Sequence, residues 1–453
     1  MDESGERNAS YPVALQSYDD VYIGRRYQRR RRRRRQVDDE IVSEMLLGQH
    51  VTFLEKLHGF RRFKRDSIHY KTLPIHVVGE SSDGSSSKKH PYHFQWNLTP
   101  SMRIKEAWKA GFNASQVTVA VVDDGVDVGH VDLRSAFSPS VSFDFVRFAA
   151  LPLPKKSEDT QHGTQCAGLV SMEGNQCGLG VGHGATLGAI RLLGPDVLND
   201  ALEGDALAFQ KDMIDIYSIS WGPKDDGKTA DKPANFTQEA IKNGVMNGRA
   251  GRGNIFVWAS GNGGQNGDNC ALDGYVSNDP QLTQRDIQHL IVHSSNSSAI
   301  RHVQFLTNTA GHHFHPKVGF GLLDAHSMVT KAATWQTVGV QKSCEVHNLP
   351  SGTIDLSDCC DVSQIERVIL HGTIRHPQRG SVQIRLTSPG GTTSELLPLR
   401  RADSTPDLIE WDFVSVHFFG ERAKGVWKLD IISENDDNVQ FRVLMKSLRV
   451  TGI

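Results

Sequence analysis

The fold is decided by the stretch Val119-Ala120-Val121-Val122-Asp123-Asp124-Gly125-Val126, an apolar run that leads directly into two carboxylates and a glycine. A β-branched run followed at once by Asp-Asp-Gly predicts a buried parallel strand that turns sharply at the sheet edge. Open α/β sheets carry their functional residues at the carboxyl ends of such strands. The stretch therefore predicts a doubly wound, mostly parallel α/β sheet with functional side chains at Asp123.

Two later stretches also lead from an apolar element into small and polar residues: Asp159-Thr160-Gln161-His162-Gly163-Thr164 and Phe256-Val257-Trp258-Ala259-Ser260-Gly261-Asn262-Gly263-Gly264. The order Asp, His, Asn resembles the subtilisin superfamily. The motifs VVDDGV, HGTQCAG, YSISWGPKDDGKT and FVWASGNGG resemble its kexin and proprotein convertase branch. The resemblance implies a subtilisin-like fold and a serine endopeptidase framework.

Serine peptidases need a hydroxyl nucleophile, a base, a carboxylate that orients the base, and donors for the oxyanion. His162 suits the base, because Gly163 and Thr164 permit a helix to begin beside it. Asp123 suits the orienting carboxylate at its strand end. Asn262 suits the oxyanion donor, because glycines on both sides allow a substrate carbonyl to approach closely.

The nucleophile is missing from this pattern. Family members carry their serine in a Gly-Thr-Ser-Ala-type segment that opens a helix, and the 453 residues contain no such segment. The chain passes directly from Val276-Ser277-Asn278 to a segment that begins Asp279-Pro280-Gln281 and resembles the family sequence beyond the serine helix. Ser260 and Ser277 lie outside any strand-to-helix turn that would present a hydroxyl to His162. We therefore predict loss of peptidase activity, and a truncated sheet with exposed strand edges.

Acidic residues along the cleft indicate the specificity of the framework. By resemblance, Asp124 and Asp159 line the subsite before P1, Asp225 and Asp273 the P1 pocket, and Glu203 and Asp231 the P4 side. Converging carboxylates would pair with arginine and lysine, so the implied substrates are precursor polypeptides with multibasic sites. The Asp225-Asp226-Gly227 sequence is also consistent with a plain turn.

The resemblance implies calcium as the cofactor. Asp132 and Asn175 match a first calcium site, and Asp225 with Asp268 matches part of a second; carboxylate and carbonyl oxygens suit this ion. The acidic cluster that usually follows the first strand is replaced by the apolar Val146–Pro154 segment, so we predict no third site. The histidines between His312 and His315 are interpreted as loop or strand residues without metal.

The amino-terminal 65 residues are predicted to be a prodomain remnant. They contain Arg29 through Arg35, a run that predicts a solvated, disordered segment or, alternatively, a nuclear-localisation or RNA-binding element. Val42–Leu57 has helical apolar spacing. Arg62, Lys64 and Arg65 resemble the R-x-K-R site at which convertases remove their own propeptide, although a basic linker is the alternative interpretation. A Ser-rich linker is predicted over residues 66–93.

The remaining chain divides into two predicted domains. Strands and helices alternate through a subtilisin/kexin-like catalytic domain over 94–336, as a parallel sheet requires. Short alternating strands after Cys344 predict an all-β jelly roll over 337–453, which resembles the convertase P domain. By resemblance, Cys344 pairs with Cys359 or Cys360, Cys166 stays free, and Cys177 and Cys270 lose disulfide partners with the missing segment.

Composition adds few constraints on function. A formal net charge of -2 gives no argument for a nucleic-acid or membrane-surface partner, and six cysteines are too sparse for a disulfide scaffold. Sequons occur at Asn8, Asn97, Asn113, Asn235 and Asn296. The amino terminus lacks a visible apolar signal sequence and no run reaches the length of a membrane span, although the resemblance implies the secretory pathway and the Golgi.

These features lead to one principal prediction and two rivals. The principal prediction is a calcium-dependent convertase framework for precursors cleaved after paired basic residues, inactive because its serine is missing. One rival is a non-catalytic pseudoprotease that binds basic peptides or its own propeptide. The other is a misfolded product without function.

Overall fold

The structure is a computed structural model. It describes residues 12–16, 21–25, 54–57, 59–65, 98, 100–155, 161–175, 178–194, 198–277, 285–349, 352–358, 361–434 and 442–453.

The described chain contains seven α-helices. They are α1 (Ile104–Lys109), α2 (His162–Ser171), α3 (Asp200–Ala208), α4 (Asn235–Gly251, kinked at Gly248), α5 (Gly274–Ser277), α6 (Arg285–Ser294) and α7 (Ala325–Ala332).

The described chain contains twenty-two strands. The first fourteen are β1 (Pro12–Gln16), β2 (Val21–Arg25), β3 (Leu54–Leu57), β4 (Phe63–Lys64), β5 (Thr118–Asp123), β6 (Phe143–Asp144), β7 (Thr186–Arg191), β8 (Ile216–Ile219), β9 (Trp221–Gly222), β10 (Ile255–Trp258), β11 (Ser295–Asn296), β12 (Leu306–Thr307), β13 (His313–Phe314) and β14 (Leu322–Leu323). The others are β15 (Lys342–His347), β16 (Gly352–Asp355), β17 (Ile365–Arg375), β18 (Val382–Thr387), β19 (Thr393–Leu397), β20 (Leu408–Ser415), β21 (Val426–Ser433) and β22 (Arg442–Gly452).

A five-stranded parallel sheet forms the centre of the first large unit, in the order β10-β8-β5-β7-β6. Strand β5 lies in the middle, and every one of its residues after Thr118 is buried, as its β-branched run predicts. The predicted parallel α/β sheet is therefore confirmed.

The turn after β5 brings the site elements together. Gly125 has a φ of 111°, a left-handed conformation that favours glycine, and it ends the strand. Helix α2 begins at His162 and packs against this turn. A Cβ on Gly163 would lie 2.4 Å from the Gly125 carbonyl oxygen, so only glycine permits the helix to come this close.

The sheet ends at β10, which forms one edge in the described part of the chain. None of its four residues is buried, and Val257 is 52% exposed. Strand β10 pairs with β8 on one side only. The exposure of β10 is compatible with the strand edge that the sequence gap predicts, and loss of a segment stays a prediction.

A β-sandwich forms the second large unit. Its two antiparallel sheets have the orders β15-β22-β17-β20 and β16-β21-β18-β19. The fully buried Trp427, Phe413 and Leu448 belong to its core. The predicted antiparallel all-β domain is confirmed by this arrangement.

Several predicted elements differ from those observed. The helix predicted over Val42–Leu57 is wrong at its end, because Leu54–Leu57 forms β3 and pairs with β2; the rest of that range and the Arg29–Arg35 run lie outside the described residues. Interstrand hydrogen bonds here override local helical spacing. The sequence from about Asp324 to Trp335 also predicts a helix, and the observed α7 is shorter. It begins after Asp324, whose side chain accepts the Ser327 N–H at 2.8 Å and so caps the helix.

Candidate active site

Asp123 and His162 form the centre of the site. Asp123 ends β5 and His162 begins α2, and both carboxylate oxygens of Asp123 lie 2.9 Å from His162 Nδ1. Asp123 is 1% exposed. A carboxylate held on Nδ1 orients the ring and fixes the tautomer that leaves the basic electron pair on Nε2.

The electrostatics of this pair favour a protonated ring. Burial of the imidazole opposes protonation, but hydrogen bonds with Asp123 and Cys166 and the negative charge of Asp123 outweigh it and raise the pKa of His162. The same carboxylate would stabilise the imidazolium that forms when a histidine accepts a proton. The geometry of the pair is compatible with the predicted roles of base and orienting carboxylate, and these roles stay a prediction.

Asn262 follows β10 and is exposed. Its backbone N–H donates to Asp225 Oδ2 at 2.9 Å, and the preceding Gly261 has a φ of 111°. The Asp225 carboxylate therefore holds the loop that carries the predicted oxyanion donor. The role of Asn262 stays a prediction.

A basic segment of the same chain lies in the cleft. Strand β4 pairs antiparallel with β9, so that Phe63 lies opposite Gly222 and Lys64 opposite Trp221. The Arg65 N–H donates to the Ser220 carbonyl at 2.8 Å, and Phe60 forms a bridge with Leu198. The segment is thus held in an extended conformation by backbone hydrogen bonds, the way proteins bind extended peptides at strand edges.

Arg62 is enclosed by acidic and aromatic groups. Its Nε lies 3.0 Å from Glu203 Oε2, its Nη1 lies 2.5 Å from Asp231 Oδ2, and its Nη2 donates to the Tyr275 hydroxyl. The guanidinium carbon lies 4.0 Å from the centre of the Phe60 ring. Burial raises the pKa of Glu203, and the charge of Arg62 opposes that rise. A buried Glu203 carboxylate needs such a cation, because an unpaired buried charge is costly.

Lys64 contacts a different carboxylate. Its Nζ lies 2.6 Å from Asp124 Oδ2, while Asp124 Oδ1 accepts the Gly163 N–H at 2.8 Å. The carboxylate that follows Asp123 in the sequence therefore links the basic segment to the start of α2. Asp159, the other residue predicted for this subsite, lies outside the described residues.

Arg65 contacts a third group of acidic residues, separate from those around Arg62 and Lys64. It donates from Nη2 to Asp273 and from Nη1 to the Ala259 carbonyl, and its Nε lies 3.8 Å from Asp225 Oδ2. A Cβ on Gly222 would lie 2.3 Å from the guanidinium, so this glycine makes room for the arginine. The structure thus brings five of the six predicted acidic residues onto three basic side chains: Asp124, Glu203, Asp225, Asp231 and Asp273.

The two predicted calcium sites differ in how well their residues suit the ion. Asp132 is fully buried, and its Oδ1 accepts the Asn175 N–H at 2.5 Å, while the Asn175 amide donates to the Val131 carbonyl. This loop gathers oxygen donors of the kind that Ca²⁺ prefers. Asp268 instead lies 2.6 Å from Arg400 Nη1, and a guanidinium beside a ligand disfavours a cation there.

The cysteines fall into three states. Cys166 and Cys270 are free. Cys344 is disulfide-bonded. The remaining cysteines, Cys177, Cys359 and Cys360, lie outside the described residues, and the partner of Cys344 is one of these three. Pairing of Cys344 with Cys359 or Cys360 stays a prediction.

Three contributors to the site were missed by sequence reasoning. They are Tyr275, which donates to Glu203 and receives from Arg62; Gly222, which admits Arg65; and Arg400, which holds Asp268. Each acts on a residue far away in the chain. Only the small size of glycine and the scarcity of buried arginine could have drawn attention to the last two.

The sheet and the Asp123–His162 pair define a subtilisin-type chain. Residues 114–278 match the subtilase family, and residues 365–450 match the proprotein convertase P-domain. The chain belongs to the proprotein convertase branch of the subtilase family.

The relatives support this membership. "Endoprotease aex-5" of Caenorhabditis elegans is 57% identical over 506 aligned positions, which cover 97% of this chain and 90% of that protein. "Proprotein convertase subtilisin/kexin type 6" of Homo sapiens is 32% identical over 73% of this chain and 44% of its own length. This chain therefore matches less than half of the human relative.

Solved structures support the fold. The serine protease of Aeromonas sobria is 18% identical, with a TM-score of 0.59, covering 76% of this chain and 89% of that one.

Within the described residues, no helix combines the length and the apolar character needed to cross a bilayer.

Proposed function

We propose that this chain is a convertase-type serine endopeptidase framework that recognises multibasic segments and, as its sequence stands, holds them without hydrolysing them. Processing of secretory precursors after paired basic residues is the activity for which the cleft is suited. One observation carries the proposal: Arg62, Lys64 and Arg65 each contact a separate acidic position in an extended segment.

The contacts support recognition of an R-x-K-R sequence. The side chain of Phe63, between Arg62 and Lys64, is 41% exposed. The contacts therefore do not select a particular side chain at this position. Charge-assisted hydrogen bonds to buried carboxylates favour arginine over neutral side chains at the outer positions. This pattern supports both a substrate with a multibasic site and the chain's own propeptide as the bound ligand.

Loss of hydrolysis is supported by the sequence comparison. The alignment with the nematode endoprotease is longer than this chain, 506 positions against 453 residues, so that relative carries residues without a counterpart here. The family's serine segment is missing between two well-matched flanks near residue 278. Removing the nucleophile from a triad leaves only residual catalysis.

A second function, a non-catalytic regulator that binds basic peptides, is favoured by the same contacts. Such a protein needs the acidic cleft and does not need a nucleophile. Calcium at Asp132 and Asn175 would stabilise the loop beside α2 in either case, by supplying positive charge among buried oxygen atoms. We propose the secretory pathway as the compartment, in keeping with the relatives.

Cleavage of a fluorogenic Arg-x-Lys-Arg peptide in calcium separates the two functions. Two proteins are compared: this chain, and a version in which residues found only in the nematode endoprotease are restored near residue 278. We expect cleavage by the restored protein alone, and its loss in that protein after His162→Ala. Cleavage by the chain as it stands would refute the inactivity. An inactive but folded restored protein would favour the regulator.

Binding is tested with a labelled Arg-x-Lys-Arg peptide and the whole chain. A tethered segment competes strongly with added peptide because of its high effective concentration. Arg65→Ala should weaken the tethered segment and increase peptide affinity at least about tenfold, the effect of losing one charge-assisted contact. Arg61→Ala, at an exposed neighbouring position, is the matched control and should change little. Equal affinities in all three proteins would refute occupation of the cleft by this segment.

A further inference from the structure

The basic segment also contacts the cleft on the amino-terminal side of Arg62. The Phe60 N–H donates to the Leu198 carbonyl at 2.8 Å, and the Leu198 N–H donates to the Phe60 carbonyl at 2.9 Å. Counted back from Arg65, which contacts the acidic residues predicted for the P1 pocket, Phe60 occupies the P6 position. Main-chain hydrogen bonds therefore hold the segment at P6 as well as at its basic end.

The side chains of this segment alternate between the cleft and the solvent. Phe60, Arg62 and Lys64 are partly buried, whereas Arg61 and Phe63 are exposed. Successive side chains of an extended chain point to opposite faces. Phe60 therefore lies on the same face as the two basic side chains that contact carboxylates.

The surroundings of Phe60 are apolar. Its side chain packs against a hydrophobic cluster that includes Leu198, Trp221 and Tyr275. An aromatic ring removes a large apolar area from water when it binds to such a surface. A lysine at the same position would bring a charge against apolar groups, which is unfavourable.

The Phe60 ring also contacts the cation at P4. The Arg62 guanidinium carbon lies 4.0 Å from the centre of this ring and 4.7 Å from the centre of the Tyr275 ring. A cation within about 6 Å of a ring centre is attracted by the negative face of the ring. One ring from the segment and one from the cleft thus contact the guanidinium that Glu203 and Asp231 bind.

We propose that the cleft contains an aromatic-selective P6 subsite beside Leu198. The subsite binds phenylalanine, tyrosine or tryptophan in a segment that also carries the P4 arginine, because the ring packs on both the cluster and the guanidinium. The inference rests on the proposed recognition of multibasic segments and narrows the ligand to an aromatic-x-Arg-x-Lys-Arg sequence.

Peptide binding to the whole chain carrying Arg65→Ala tests the subsite. The reference probe is acetylated, labelled Phe-Arg-Arg-Phe-Lys-Arg. Alanine at its first position should weaken binding about 5–30-fold, through lost apolar burial and lost contact with the arginine. Leucine should recover part of this loss, and lysine should bind more weakly than phenylalanine. The matched control is alanine at the fourth position, which corresponds to the exposed Phe63 and should change affinity little.

Two further measurements test the contact between the ring and the P4 cation. With alanine in place of the arginine that corresponds to Arg62, the preference for phenylalanine over alanine at the first position should fall about 2–5-fold. In the chain with its native Arg65, Phe60→Ala should weaken the tethered segment and raise the affinity for added probe, whereas Phe63→Ala should not. Circular dichroism checks that each variant is folded.

The outcomes distinguish this inference from the function on which it rests. If the phenylalanine and alanine peptides bind equally well, the P6 subsite is overturned and recognition of multibasic segments stands. Tighter binding of the lysine peptide would also overturn the subsite, because charge would then determine affinity at this position. If none of the peptides binds to the folded protein, the proposed recognition is wrong, and the P6 subsite is rejected with it.

Discussion

The parallel sheet and the β-sandwich differ in how completely their strands are covered. In the sheet, β5 is buried on both faces, yet none of the residues of β10 is buried. In the sandwich, the interior positions of β21 and β22 include the fully buried Trp427 and Val450. Among the described residues, the parallel sheet therefore ends in the exposed strand β10, while the two sheets of the sandwich enclose a common core.

We expect the two units to depend differently on the segment that the sequence analysis predicts to be missing. A sandwich closes by packing its two sheets together, whereas an open parallel sheet has helices on its faces and keeps two edge strands. The predicted loss of sequence near residue 278 should therefore affect the sheet at its edge and leave the sandwich core intact. The following predictions test that contrast, from the largest expected effect to the smallest.

Trp427→Ala should cause the largest loss of stability. The side chain is fully buried, packs edge-on against Phe418 at 5.0 Å, and donates to the Ala423 carbonyl at 2.9 Å. Truncation of such a core residue costs about 3–5 kcal/mol. Denaturant unfolding of the whole chain measures it. A loss below about 1 kcal/mol would show that the sandwich does not control the observed transition.

Acid should destabilise the junction between the two units through Glu366. Although burial opposes ionisation, hydrogen bonds from His289, Arg285 and Gln341 and the charge of Arg285 lower the pKa of Glu366 to about 2. A pKa below the unfolded value means that this stabilisation is present above about pH 4.5 and is lost as the pH falls towards 2.

The variant Glu366→Gln isolates this effect. It removes one partner from a buried charged cluster, at a cost of about 3 kcal/mol near neutral pH. The stability difference between the two proteins should shrink between pH 4.5 and 2, and other acid-sensitive groups such as His417 cancel in the comparison. A constant difference across that range would contradict the assignment.

A matched valine pair compares core and edge directly. Val450→Ala in β22 should cost about 2 kcal/mol, because two buried methyl groups leave a cavity. Val257→Ala in β10 should cost less than about 0.5 kcal/mol, because this side chain is 52% exposed. Unfolding free energies of both variants check the contrast. Similar costs would mean that β10 is covered in solution.

Val257→Lys should have the smallest effect on stability and a clear effect on association. Exposed apolar edge strands recruit other strands, and a charged side chain opposes this pairing. We expect a stability change within about 0.5 kcal/mol and a lower fraction of oligomers in sedimentation velocity at raised concentration. Lys242→Ala, a change of an exposed residue on α4, is the control and should leave association unchanged.

The sequence predicted the elements whose signals are local. Short stretches carry these signals. They are the β-branched run before Asp123, the alternating strands of the sandwich, and the motifs around Asp123, His162 and Asn262. Partners across long distances were not predictable. The Arg400 contact with Asp268 joins residues of two units, and no spacing rule connects them.

Competing local preferences explain the failed helix. Leu54–Leu57 has apolar spacing that suits a helix as well as a strand, and its pairing with β2 decides between them. Likewise, an Asp-Asp-Gly sequence at Asp225 suits a turn, and its carboxylate also holds the Asn262 loop. In both places, a short stretch is compatible with more than one structure, and tertiary contacts determine which one forms.

Arg400 connects the two units through a buried charge. Its side chain is 1% exposed, pairs with Asp268 at 2.6 Å and donates to the Thr229 carbonyl at 3.0 Å. If the P domain opened alone, the Asp268 carboxylate would lose this partner; if the subtilase unit opened alone, Arg400 would keep only Asp403, which lies 3.6 Å away in its own unit. Each partial opening therefore carries an electrostatic penalty. The two units are consequently coupled, and heating should melt them in one cooperative transition rather than one after the other.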